Sequence, residues 1–111
     1  MLAITYADMG DMGKAIEQLR AAVDQRPDYV EACYRLGSLL KDQGDVDGAI
    51  AALRRSVALD DTDAGAFNNL GLLLRRKGDM EGAKVAFAKA AEIRKAEAEQ
   101  KEKHLNQGTP H

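Results

Sequence analysis

The stretch Gly44-Asp45-Val46-Asp47-Gly48-Ala49 occurs in three versions. It recurs 34 residues upstream as Gly10-Asp11-Met12-Gly13-Lys14-Ala15 and 34 residues downstream as Gly78-Asp79-Met80-Glu81-Gly82-Ala83. A fixed period of about 20 to 50 residues marks a repeat architecture, in which each unit is a supersecondary element unable to bury its own apolar face. The period here is filled with helix formers. Alanine, leucine, glutamate, lysine and arginine dominate, β-branched residues are few, and the chain has ten glycines but only two prolines. Such composition favours helices joined by short, glycine-marked turns. With 45% hydrophobic and 31% charged residues among 111, the chain is read as one small folded domain rather than a disordered segment.

Taken in order, residues 1–9 read as half a helix, with Leu2, Tyr6 and Met9 on one face. Gly10 is the expected stop and Asp11 the expected cap of a helix over 12–26. That helix carries a stripe of Ala15, Ile16, Leu19, Ala22 and Val23 and is ended by Pro27. Asp28, with Glu31 three residues on, predicts a capping box for a helix over 29–43 bearing Cys33, Leu36, Gly37, Leu39 and Leu40. After Gly44-Asp45, a helix over 46–59 buries Ala49, Ile50, Leu53 and Val57. Asp60-Asp61-Thr62-Asp63 is a polar connection with Asp63 as the next cap. A helix over 64–77 then carries Phe67, Leu70, Gly71, Leu73 and Leu74. The last helix begins with Met80, Ala83, Phe87, Ala90 and Ala91. It has no proline where Pro27 ended the first, so the pattern predicts a solvated extension to about residue 105. Glu97 with Lys101 and Glu99 with Lys103 are i, i+4 pairs there, worth roughly 0.2–0.5 kcal/mol each. Residues 106–111 are expected to fray.

The spacing resembles the tetratricopeptide repeat, a 34-residue helix–turn–helix with an aromatic, Leu-Gly, a second aromatic, an Ala, a later aromatic and a closing Pro. The second repeat supplies Cys33, Leu36-Gly37, Leu40, Ala49 and Leu53. The third supplies Phe67, Leu70-Gly71, Leu74, Ala83 and Phe87. The first supplies Leu2-Ala3, Tyr6, Ala15, Leu19 and Pro27. Cys33 and Leu40 depart from the pattern's aromatics, and Asp61 and Lys95 stand where Pro27 stood. The resemblance implies an all-α solenoid of antiparallel helix pairs, a right-handed superhelix of about two and a half repeats plus a long C-terminal helix. The domain is expected over 1–105, with a partial repeat over 1–29, repeats over 30–63 and 64–95, an extension over 96–105 and a tail over 106–111. With fewer than three repeats, the chain is expected to be a fragment of a longer array. Asn106-Gln107-Gly108 faintly echoes Asn68-Asn69-Leu70-Gly71, three residues out of register, as the start of a further repeat.

Chemistry-bearing groups are sparse. No catalytic set, cofactor motif or metal cluster is legible, so neither an enzyme nor a cofactor is expected. His104 and His111 lack a third ligand and read as solvated. A single cysteine, Cys33, excludes an internal disulfide and reads as a small core residue. Asp60, Asp61 and Asp63 lack the glycine and the closing glutamate of a calcium loop. A net charge of −2 disfavours nucleic acid, which requires a positive surplus. No run reaches the length of a membrane span. The start lacks a basic region and a long apolar run, yet it reads as cut, so the compartment stays open, with the cytoplasm as the expectation.

By resemblance, function belongs to the inner, concave face. Its expected positions are Glu31, Tyr34, Arg35, Ser38 and Lys41 in the second repeat, and Asn68, Asn69, Leu72, Arg75 and Arg76 in the third. Asparagines beside arginines suit the backbone and carboxylates of a peptide or a partner helix. A clamp for two carboxylates is disfavoured, because Tyr34 and Ser38 stand where it needs lysine and asparagine. The alternative is a self-assembling structural module, a homo-oligomer through Leu2, Tyr6, Leu19 and Phe87 or through the long last helix.

Overall fold

The computed structural model describes the backbone of residues 2–108 and the side chains of residues 11–103. Among the described residues every element is an α-helix: α1 (Leu2–Gln25), α2 (Val30–Gln43), α3 (Val46–Leu59), α4 (Ala64–Lys77) and α5 (Met80–Gly108). They fall into two compact units, Met1–Asp61 and Thr62–His111. In the first, α2 packs against α1 and α3; in the second, α4 packs against α5.

Two Gly-Asp pairs make the turns. Gly44 and Gly78 take left-handed φ of 88° and 97°. The Gly44 N–H donates to the Lys41 carbonyl and the Asp45 N–H to that of Leu40, closing the end of α2. The aspartate then opens the next helix. Asp45 Oδ1 accepts from the Gly48 N–H at 3.0 Å and Asp79 Oδ1 from that of Gly82 at 2.9 Å. A Cβ at a left-handed position clashes with the following carbonyl, so Gly44→Ala is expected to cost about 1–2 kcal/mol. Gly13→Ala, in the middle of α1 with nothing within 4 Å of a new Cβ, is expected to gain about 0.5–1 kcal/mol. Urea titration of the two variants checks both signs.

The third Gly-Asp pair does not turn. α1 is one helix of 24 residues running through Gly10 and Asp11, against the stop and cap expected there. A glycine permits a left-handed turn without imposing one, and holding it in a helix costs only about 1 kcal/mol. The turns at Gly44 and Gly78 are backed by a 14-residue helix before each, packed against the helix that follows. Only residues 2–9 precede Gly10 in α1. A straight helix keeps the backbone hydrogen bonds that a turn would release.

The start of α2 also differs from expectation. Its N-cap is Tyr29, without a side-chain cap bond, so Asp28 does not cap it. The chain turns tightly here instead. The Tyr29 N–H donates to the Arg26 carbonyl at 3.0 Å, and the Arg26 guanidinium lies 5.0 Å from the Tyr29 ring centroid. Asp63 caps as expected, accepting from the Gly65 and Ala66 N–H groups at 2.9 and 3.3 Å. α5 runs on through Gly108, so residues 106–108 are helical; 109–111 lie outside the described residues. From Arg94 through Lys103 every residue is exposed, as a solvated extension requires.

Small residues set the helix spacing. A Cβ built on Gly37 would stand 2.7 Å from Leu53 Cγ, and one on Gly71 would stand 2.8 Å from the Phe87 ring. Cys33 is fully buried. Burial pushes its thiol up from the ordinary 9.0, partly offset by the positive charge of Arg55. The folded pKa exceeds the unfolded one, so this group favours folding at neutral pH and loses that contribution as pH rises above about 9. In the folded chain a thiol reagent is expected to label Cys33 on the order of a hundredfold more slowly than in urea, since reaction needs a local opening. Equal rates would place the thiol at the surface.

Candidate interaction surface

α2 and α4 each bury one stripe and leave another accessible. On α2, Ala32, Cys33, Leu36, Gly37 and Leu40 are buried. Glu31 and Arg35 are exposed, and Tyr34, Ser38 and Lys41 are half-buried. The 3.6-residue period brings positions 31, 34, 35, 38 and 41 to one side of α2. Arg35 pairs with Glu31 at 2.9 Å. Both side chains are mostly solvated, so the link is worth only a few tenths of a kcal/mol, about 0.3–0.5, and a ligand carboxylate can displace it.

On α4 the accessible stripe is Asn68 and Asn69, half-buried, with Leu72, Arg75 and Arg76 exposed. Leu72 is 38% exposed in the middle of a helix whose other leucines are buried. The Arg75 guanidinium lies 5.7 Å from the Phe87 ring centroid, which holds it over its own unit. Arg75, Arg76 and Lys77 occupy the last turn, where cations offset the helix dipole. Phe87 itself is half-buried against Gly71 inside the α4–α5 pair.

A groove of about 630 Å³ lies between α1 and α2. Ala15, Gln18, Leu19 and Ala22 line it from α1, and Tyr34, Arg35, Ser38 and Leu39 from α2. The structure thus gathers three expected concave-face residues with Leu19, one of the expected self-association residues. The side chains of Leu2 and Tyr6 lie outside the described residues. Sequence reading missed Ala15, Ala22 and Leu39 as surface, because their spacing is that of a core stripe. Among the described residues no group of three or more His, Cys, Asp or Glu side chains is placed to hold a metal ion. No described helix is long and apolar enough to cross a membrane.

Paired helices with glycine–aspartate turns at a fixed period define a helical-repeat protein. The sequence matches the tetratricopeptide repeat family over residues 1–64 and again over 34–99, and the chain belongs to that family. The fold is that of a protein–protein interaction scaffold in general. Among solved structures it is similar to MamA. One crystal structure of MamA is 27% identical with a TM-score of 0.76, covering 82% of this chain and 53% of that one. The 41-to-end portion of MamA from Desulfovibrio magneticus RS-1 is 26% identical with a TM-score of 0.72, covering 81% and 51%. A third MamA crystal structure, at 25% identity and a TM-score of 0.69, covers 93% of this chain and 52% of its own. The chain therefore spans about half the length of the solved structures it matches. A comparison with curated proteins gives no match.

Proposed function

We propose that the chain binds a peptide or a partner helix on the accessible stripe of α2, that α4 offers a like stripe within its own unit, and that the chain performs no chemistry of its own. The supporting observation is the stripe itself. Tyr34, Arg35, Ser38 and Lys41 stand 34 residues before Asn68, Asn69, Leu72 and Arg75, and all eight stay accessible while the opposite side of each helix packs within its unit. Leu72 and Tyr34 offer apolar contact. Asn68, Asn69, Arg35 and Arg76 offer donors for backbone carbonyls and carboxylates. Extended peptides selected from a display library against the chain provide the probe. Tyr34→Ala combined with Asn68→Ala is expected to weaken them about tenfold or more, since contacts of this kind each contribute on the order of 1 kcal/mol. Unchanged affinities, with the fold intact by circular dichroism, would remove these stripes from the binding surface.

Self-association is the second reading, favoured by one observation: Leu19 lies on the wall of an open groove. The extension of α5 adds little to it, since between Arg94 and Lys103 only Ala96 and Ala98 are apolar.

A further inference from the structure

A second pocket, of about 220 Å³, opens on the other side of α2 from Tyr34, Arg35 and Ser38. It lies within the unit Met1–Asp61 and is bounded by α1, α2 and α3. Among the described residues α1 and α3 each pack on α2 and not on each other, which leaves a trench between them. Val23, Cys33 and Leu36, all buried, form its floor, and Ala51 stands on its α3 wall. The room comes from side-chain size. The repeat pattern asks for an aromatic at position 33, and the third repeat has one there, Phe67, in the same register. Ala51 likewise corresponds to Val85. Both residues of the second repeat are the smaller ones, so the trench stays open.

Two cations reach this pocket and no carboxylate lines it. Arg20 comes from α1 and Arg55 from α3. Among the described residues neither guanidinium is in an ion pair. The charge of Arg55 is felt by the Cys33 thiol at the floor, so it is the guanidinium, and not the stem alone, that approaches the cavity. We propose that this pocket binds a small monocarboxylate, its short branched body on the apolar floor and its carboxylate held by Arg20 and Arg55. The volume is below the roughly 300–1,000 Å³ of sites for drug-sized ligands, which keeps the body short. A guanidinium fork matches a carboxylate through two parallel hydrogen bonds. A bare anion leaves the floor uncovered, and an uncharged body leaves the arginines without a partner. The site is separate from the stripe on α2 and does not depend on it. A free acid and a chain ending in leucine both offer this chemistry.

Titration with isocaproate, followed by backbone amide chemical shifts, tests the site. Saturable shifts at Val23, Cys33 and Ala51 are expected, with little response there to acetate, inorganic phosphate or isocaproamide. N-acetylleucine forms the second arm: tighter binding than isocaproate assigns the site to a chain terminus, and weaker binding assigns it to a free acid. Arg20→Gln and Arg55→Gln are each expected to weaken isocaproate about fivefold, since both side chains are exposed. Ala51→Leu, which fills the trench from an exposed position, is expected to abolish binding. No saturable shift with isocaproate, or shifts confined to other residues, would overturn the site. An equal response to acetate or phosphate would show an adventitious ion only. Equal binding of the amide, or unchanged affinity in both arginine variants, would overturn the recognition of a carboxylate.

Discussion

Leu53→Ala is expected to destabilise the unit Met1–Asp61 by about 2–5 kcal/mol. Leu53 is fully buried, and its branch point lies under Gly37. Removing the isobutyl group forfeits its transfer from water and leaves a cavity that the paired helices can close only in part. In a domain whose whole stability is on the order of 5–15 kcal/mol, that is a large fraction. The urea midpoint is expected to fall by about 1–2 M. Leu19→Ala is the matched control, the same residue type one repeat earlier. Leu19 is only half-buried, so at concentrations where the chain is monomeric its truncation is expected to cost under about 1 kcal/mol. Equal costs would contradict the difference in cover between the two repeats.

Gly37→Val is expected to carry the second-largest penalty, roughly 1–3 kcal/mol. Its Cβ would stand 2.7 Å from Leu53 Cγ, with the Ala49 carbonyl oxygen at 3.4 Å behind. Leu53 has no room to retreat, because it is itself fully buried. Gly71→Val meets ring atoms of Phe87 at 2.8 Å, but that ring is half-buried and can swing outward. The expected order of melting temperatures is therefore Gly37→Val below Gly71→Val, and both below wild type. The reverse order would show that helix spacing in the first unit is not set at Gly37.

The repeat period made most of the fold legible. Gly44-Asp45 and Gly78-Asp79 turn as their chemistry requires, Asp63 caps α4, and Cys33 lies in the core. Gly10-Asp11 has the same chemistry and does not turn. A dipeptide states which conformations are open, whereas the packed helices on either side decide which is taken. Asp28 shows a smaller version of this: the tight turn over residues 26–29 moves the N-cap to Tyr29 and leaves the carboxylate outside. The stripe of α1 was legible as apolar, but its division was not. Ile16 and Val23 are buried, while Ala15, Leu19 and Ala22 are not, and helical periodicity treats all five alike. The positions expected for an inner face were reached through the family register. Nothing in the spacing alone separates Leu72, which is exposed, from Leu73, which is buried.

The unbroken course of α1 through Gly10 is the point on which the open groove depends, and a distance measurement addresses it directly. Nitroxide labels are placed through Thr5→Cys and Asp24→Cys, with Cys33 shielded by burial, in chains diluted with unlabelled protein. Electron–electron resonance then reads the separation within one chain. The nineteen-residue separation along a straight helix sets the backbone sites about 28 Å apart. A turn at Gly10, with two helices packed side by side, brings them to about 15 Å. The long distance is the expected result. The short one would contradict the open face of α1 and everything drawn from it.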